Sequence, residues 1–178
     1  MRFRRKLLLP GMVLLSCFVP ASRDAALAQM PTYRLGRTPS TEEIRTWDTA
    51  VGPEGKELPP GNGTAKDGAK VWAQRCAKCH GADGKYQWPL RAHPPSGGKA
   101  PVLAGEKGVI AGRQFATTIW DYVKRAMPLG EEAGTLSADE VYAVTAFLLY
   151  LDGIIKEDTV MDSRSLPKVQ MPHGPRLK

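Results

Sequence analysis

The sequence predicts an all-α fold of small helices joined by long loops, on three observations. Apolar residues recur at helical spacing over about 114–125 and again over about 138–152. A third helical pattern starts after Thr64 and runs through Gly68, Val71, Trp72 and Arg75 into Cys76-Ala77-Lys78-Cys79-His80, with no βαβ pattern around it. The remainder is dense in breakers, with 18 Gly and 15 Pro among 178 residues.

Length and composition set outer limits. With 42% hydrophobic and 24% charged residues, the chain suits one globular domain with extensions. It contains no run of the roughly 18 apolar residues that a membrane span needs. The N-terminus reads as a secretory leader. Arg2, Arg4, Arg5 and Lys6 precede an apolar stretch over 7–21, and Ala26-Leu27-Ala28 is a small-residue cleavage site. The expected mature chain starts at Gln29, which places it in the periplasm; the alternative is a lipoprotein acylated at Cys17. Removing residues 1–28 takes away five of 25 Lys/Arg and one of 18 Asp/Glu, leaving 20 bases against 17 acids. That near balance, with no basic stripe interleaved with aromatics, excludes nucleic acid as the expected partner.

The elements follow in order. Ser40-x-x-Glu43 is a capping box for a short helix over 41–47 that goes no further than Asp48. Val51-Gly52-Pro53-Glu54-Gly55 and Pro59-Pro60-Gly61-Asn62-Gly63 are turn chemistry. Thr64-x-x-Asp67 is a weak cap for the next helix. Residues 81–112 form a loop whose length makes sense if it wraps a cofactor that supplies missing core. The last helix carries the clearest signals. Ser137-x-x-Glu140 is a capping box, Leu136 and Val141 occupy the staple positions, and Gly153 supplies the stop. Residues 154–178 form a tail without a period. The expected division is a leader over 1–28, an N-terminal extension over 29–63, a cofactor domain over 64–153 and a C-terminal tail over 154–178.

Cys76 and Cys79 are the only cysteines beyond the leader, and C-x-x-C-H is the attachment signature for haem c. Two thiols add across the porphyrin vinyl groups, a helical turn presents both to one macrocycle edge, and His80 offers a ring nitrogen to the iron. A redox dithiol would follow a strand in a βαβ unit, and a structural zinc site would need two more ligands. The expected cofactor is one covalent haem c. The candidates for the second axial ligand are Met30, His93, Met127, Met161, Met171 and His173. Met127 is preferred, because Pro128 stops the preceding helix and Gly130 frees the next turn. His93 is the alternative, since neutral imidazole also binds iron.

With these residues in place, the stretch from about Ala65 to Gly153 resembles a class I cytochrome c. Gly68 and Trp72 stand eight and four residues before Cys76, as in that family. The resemblance implies that they pack on the terminal helix, with Val144 and Phe147 as partners. It also implies that the carbonyl of Pro101 accepts a hydrogen bond from His80 Nδ1–H. The segment between His80 and Pro101 is longer than in compact members. Leu35-Gly36-Arg37, Thr46-Trp47-Asp48, Pro59-Pro60-Gly61, Ile119-Trp120-Asp121-Tyr122, Arg125-Ala126-Met127-Pro128 and Leu166-Pro167-Lys168 resemble the cytochrome c subunits of molybdenum sulfite and sulfane-sulfur dehydrogenases. That resemblance implies such a dehydrogenase as electron donor and a further cytochrome or oxidase as acceptor. The expected role is electron transfer rather than catalysis. The alternative is a haem enzyme or ligand sensor with a labile sixth site. The expected docking ring combines Tyr86, Trp88 and Leu129 with Lys78, Lys85, Arg91 and Lys124.

Overall fold

The structure is a computed structural model, and residues 36–87 and 100–176 are described. The chain divides into two units, Met1–Ser40 and Thr41–Lys178. The described part of the first, residues 36–40, has a bend at Gly36 and no regular secondary structure. The leader, Cys17, Met30, Trp88, Arg91 and His93 lie outside the described residues.

The second unit holds the fold. Helix α1, Thr41–Trp47, ends at the expected residue and buries none of its side chains. Helix α2, Ala65–Arg75, starts where Thr64 Oγ1 accepts from the Asp67 amide at 3.2 Å. It breaks at Cys76, whose φ of −120° leaves the helical region, and the chain resumes as the single turn α3, Ala77–His80. Gly81, at φ +74°, ends that turn in a conformation that favours glycine.

Helix α4, Ala116–Ala126, begins slightly later than its apolar pattern suggests, because Phe115 is extended and supplies no side-chain cap. Helix α5, Ala138–Leu151, has both bonds of the predicted capping box. The staple residues Leu136 and Val141 are both buried. Its C-terminus closes as a Schellman motif. Gly153 N–H bonds the Tyr150 carbonyl and Ile154 N–H bonds the Leu149 carbonyl, both at 2.9 Å, with Gly153 at φ +67°.

Two helices set the framework. Helix α2 crosses α5, and α4 packs on another side of α5. At the first crossing, a Cβ added to Gly68 would lie 1.9 Å from the Ala143 carbonyl oxygen and 2.8 Å from Phe147 Cβ. Ala143, with Phe147, lies nearest to Gly68, and Phe147 is also the ring partner of Trp72. Ala143 has the small side chain that lets the two backbones meet.

The segment after α5, a tail without a period in the sequence, packs into the core. Met161, Leu166 and Met171 are 2%, 0% and 1% exposed and belong to the main core cluster. Strand β2, Met161–Asp162, pairs antiparallel with β1, Asn62–Gly63. A 3₁₀ turn over Leu166–Lys168 follows. Each apolar anchor is separated from the next by turn residues, so no helical or strand period exists to reveal it.

Candidate functional site

The site begins at the break between α2 and α3. Cys76 is half-buried and Cys79 exposed, and both thiols are free. The Cys79 and His80 amides both donate to the Cys76 carbonyl, at 3.1 and 3.0 Å. This turn places the two sulfurs and the imidazole within five consecutive residues. Burial pushes the Cys76 thiol up to about 11. A thioether carries no charge and tolerates such burial.

Trp72 supports the imidazole. Its ring lies 5.9 Å from that of His80 and 5.5 Å from that of Phe147. Its Nε1–H donates to the Gly81 carbonyl at 2.9 Å, tying α2 to the residue after His80. Burial also holds the His80 pKa below its ordinary value, so the ring stays in the neutral form that ligates metals.

His80 Nδ1 is buried and lacks a hydrogen-bond partner. The expected bond to the Pro101 carbonyl is therefore not made in this structure. Pro101 is exposed, and the chain beyond it turns to Gly84, whose carbonyl accepts from the Leu103 and Ala104 amides at 2.8 and 3.4 Å. That loop closes on itself through Val109 N–H to the Val102 carbonyl and Ile110 N–H to the Leu103 carbonyl. Asp152, at the end of α5, accepts from the Gly105 and Ala111 amides at 2.6 and 3.0 Å and anchors the loop. Sequence reasoning missed this anchor, because the residues it joins are 47 and 41 positions apart.

Met127 is the C-cap of α4. Its amide still bonds the Val123 carbonyl at 3.1 Å, while its own backbone is extended and its peptide to Pro128 is cis. It is half-buried and packs against the same core cluster as Cys76 and Ala77. Met161 and Met171 fill the core, and His173 is exposed.

Three ionic contacts near Met127 also escaped the sequence reading. Asp121, 8% exposed, accepts from the Val51 amide at 2.9 Å and from Arg125 through both of its oxygens. Burial opposes ionisation of Asp121, but these donors outweigh it and hold the carboxyl below its usual range. Lys124 Nζ donates to the Gly134 and Leu136 carbonyls, so it braces the loop after Met127 instead of joining a docking rim. Arg75, beside Cys76, reaches the same loop through Thr135 Oγ1 at 3.0 Å and Glu132 at 3.2 Å. The i,i+4 spacing of Asp121 and Arg125 was the one legible signal among these. Of the expected docking ring, Tyr86 and Leu129 are exposed.

The donor set fits a haem. Two thiols on one turn, a neutral imidazole and a half-buried thioether are the groups a covalent porphyrin uses. Among the described residues no group of three or more His, Cys, Asp or Glu could hold a bare metal ion. Also among the described residues, no helix is long and apolar enough to cross a membrane.

A C-x-x-C-H turn behind a glycine-and-aromatic helix that crosses the C-terminal helix defines a class I c-type cytochrome, and this chain belongs to that family. Residues 63–148 match the family model described as cytochrome c oxidase, cbb3-type, subunit III. More particularly, the chain is similar to a chain in the crystal structure of the sulfane dehydrogenase SoxCD from Paracoccus pantotrophus. The TM-score is 0.60 at 37% identity, over 79% of this chain and 68% of that one. It is also similar to two curated proteins named thiosulfate dehydrogenase. The one from Stutzerimonas stutzeri (strain A1501) is 31% identical over 114 residues, 57% of this chain and 35% of that protein. The one from Psychrobacter arcticus is 30% identical over 121 residues, 63% of this chain and 35% of that protein. The chain thus spans about a third of the length of these curated relatives. Membership of the family implies haem c and an electron-transfer role.

Proposed function

We propose that this chain is a periplasmic monohaem cytochrome c that carries single electrons in sulfur oxidation. It accepts them from a molybdenum sulfite or sulfur dehydrogenase and passes them to a further cytochrome or an oxidase. Cys76 and Cys79 hold the one haem covalently, and His80 and Met127 are its axial ligands. The observation that carries this reading is the turn at Cys76–His80, with its imidazole backed by Trp72. Likeness to a sulfane dehydrogenase and to thiosulfate dehydrogenases supports the sulfur context.

When bound, the haem supplies an iron that alternates between the ferrous and ferric states. The protein's residues determine how it does so. Trp72 orients His80, while Met127 closes the sixth position and, as a thioether, favours iron(II). With both positions filled, substrate has no place at the metal. The enzyme names of the curated relatives favour one second reading, a haem enzyme with a labile sixth site.

The visible spectrum of the purified ferric protein decides between them. A low-spin haem with a weak red sulfur-to-iron(III) band supports the carrier. A high-spin spectrum, or rapid carbon monoxide binding to the ferrous form, supports the enzyme. Reduction by a purified sulfite or sulfane-sulfur dehydrogenase tests the donor.

A further inference from the structure

Asp121 is a carboxylate placed where the fold buries apolar groups. On α4 its neighbours Ile119, Trp120 and Val123 are core residues, and Asp121 is itself only 8% exposed. A buried carboxylate is costly unless its oxygens are paired. An i,i+4 pair with Arg125 alone gives no reason for burial, because such pairs form equally well on an exposed helix face. The further partner is the Val51 amide, 70 residues earlier, which donates to Oδ1 at 2.9 Å. The same oxygen accepts from Arg125 Nε at 2.9 Å, and Oδ2 accepts from Arg125 Nη2. The carboxylate therefore joins the segment before α2 to the last two turns of α4.

Those turns end in Met127. Its amide closes the final helical bond to Val123, and the chain then becomes extended. Arg125 lies two residues before Met127 and Asp121 six. The joint therefore sets the rotation and height of the helix end from which the thioether projects.

We propose that Asp121, through Arg125 and the Val51 amide, is a positioning residue that keeps the Met127 thioether on the haem iron. This rests on the reading of Met127 as the axial ligand. Without the carboxylate, the end of α4 loses its hydrogen-bonded tie to Val51, while Ile119, Trp120 and Val123 still hold the helix body in the core. Ligation becomes exchangeable while the fold persists.

The test uses the full-length ferric holoprotein, with imidazole as the competing ligand. In Asp121→Ala, which removes both acceptor oxygens, imidazole should bind roughly ten- to a hundredfold more tightly than in the wild type, the range for losing a buried charged hydrogen bond. The red sulfur-to-iron band should weaken, the reduction potential should fall, and far-ultraviolet helix content should not change. Arg125→Gln, which keeps the Val51 bond, should shift the same quantities less. It decides the matter if Asp121→Ala does not fold. Wild-type imidazole affinity and an intact band in the variant that folds, with or without lower melting temperature, would overturn the proposal and leave Asp121 a stabilising residue only. The Met127→Ala protein separates the two failures. If it binds imidazole no better than the wild type, Met127 is not the ligand and both readings fall.

Discussion

Gly68 lies directly against the carbonyl of Ala143 where the helix before the haem motif crosses the terminal helix. A Cβ at Gly68 would lie 1.9 Å from that oxygen and 2.5 Å from its carbon. The obstacle is backbone within a helix, so it cannot rotate aside as a side chain would. The crossing also fixes Trp72, one helical turn further along α2, against Phe147 and His80. Packing between two helices thus reaches His80, the proposed iron ligand, through a single indole ring.

Gly68→Ala should therefore force α2 away from α5. The expected loss is about 3 kcal/mol, the upper part of the range for overpacking a tight core. Denaturant unfolding of the holoprotein measures it. A loss below about 0.5 kcal/mol, the usual size of a surface substitution, would show that the helices separate freely.

Trp72→Phe keeps a ring between His80 and Phe147 but removes the bond to the Gly81 carbonyl. The expected cost is about 1 kcal/mol, with haem still attached. Trp72→Ala removes the ring as well and should cost about 3–5 kcal/mol. Equal losses in the two variants would mean that the packing contributes nothing beyond the hydrogen bond.

Met127→Ala should retain covalent haem and lose the sixth ligand. The reduction potential should fall, and carbon monoxide should bind the ferrous form quickly, because thioether ligation favours iron(II). An unchanged spectrum and potential would exclude Met127 and bring His93 forward.

Replacing Cys76 and Cys79 together by Ala should abolish covalent haem and most of the folded structure. The chain is short and rich in loops, and the cofactor completes its core. Native helix content by circular dichroism in the metal-free variant would contradict this.

The capping box of α5 gives a pH-dependent prediction. The Ser137 amide, and then its hydroxyl, hold the Glu140 carboxyl below its ordinary value of 4.5. A depressed folded-state pKa adds stability above the unfolded value, and that stability disappears as pH falls through the folded value. Glu140→Gln should therefore be less stable than the wild type at neutral pH by about 0.5–1 kcal/mol. The difference should vanish in acid below pH 4.5. Parallel unfolding curves at all pH values would show that the carboxylate charge plays no part.

The proposed site could be read from the sequence because its parts are local. The C-x-x-C-H spacing lies within one turn, and Met127 is marked by Pro128 directly after it. The capping box and Schellman stop of α5 involve residues three to five positions apart. Other expectations depended on which distant segments meet, and there the sequence reading fell short. The helical pattern could assign Gly68 to a face of α2, but not which residue of α5 would be opposite it. Small side-chain size at Ala143, one position before the expected Val144, settled that pairing.

By itself, the sequence determined the haem turn, the helix that precedes it and the terminal helix that packs on it. Each follows from spacing within a few residues, where backbone geometry leaves few choices. Only the tertiary structure decided the burial of Met161, Leu166 and Met171, the Asp152 anchor on the loop after Pro101, and the Asp121 joint to Val51. These pairings span 41 to 70 residues or lie in segments without a period. A carboxylate has no sequence signal for a backbone amide that reaches it only after the helices have packed. Such contacts form where the core leaves a polar group in need of a partner, so the core must exist before they can be read.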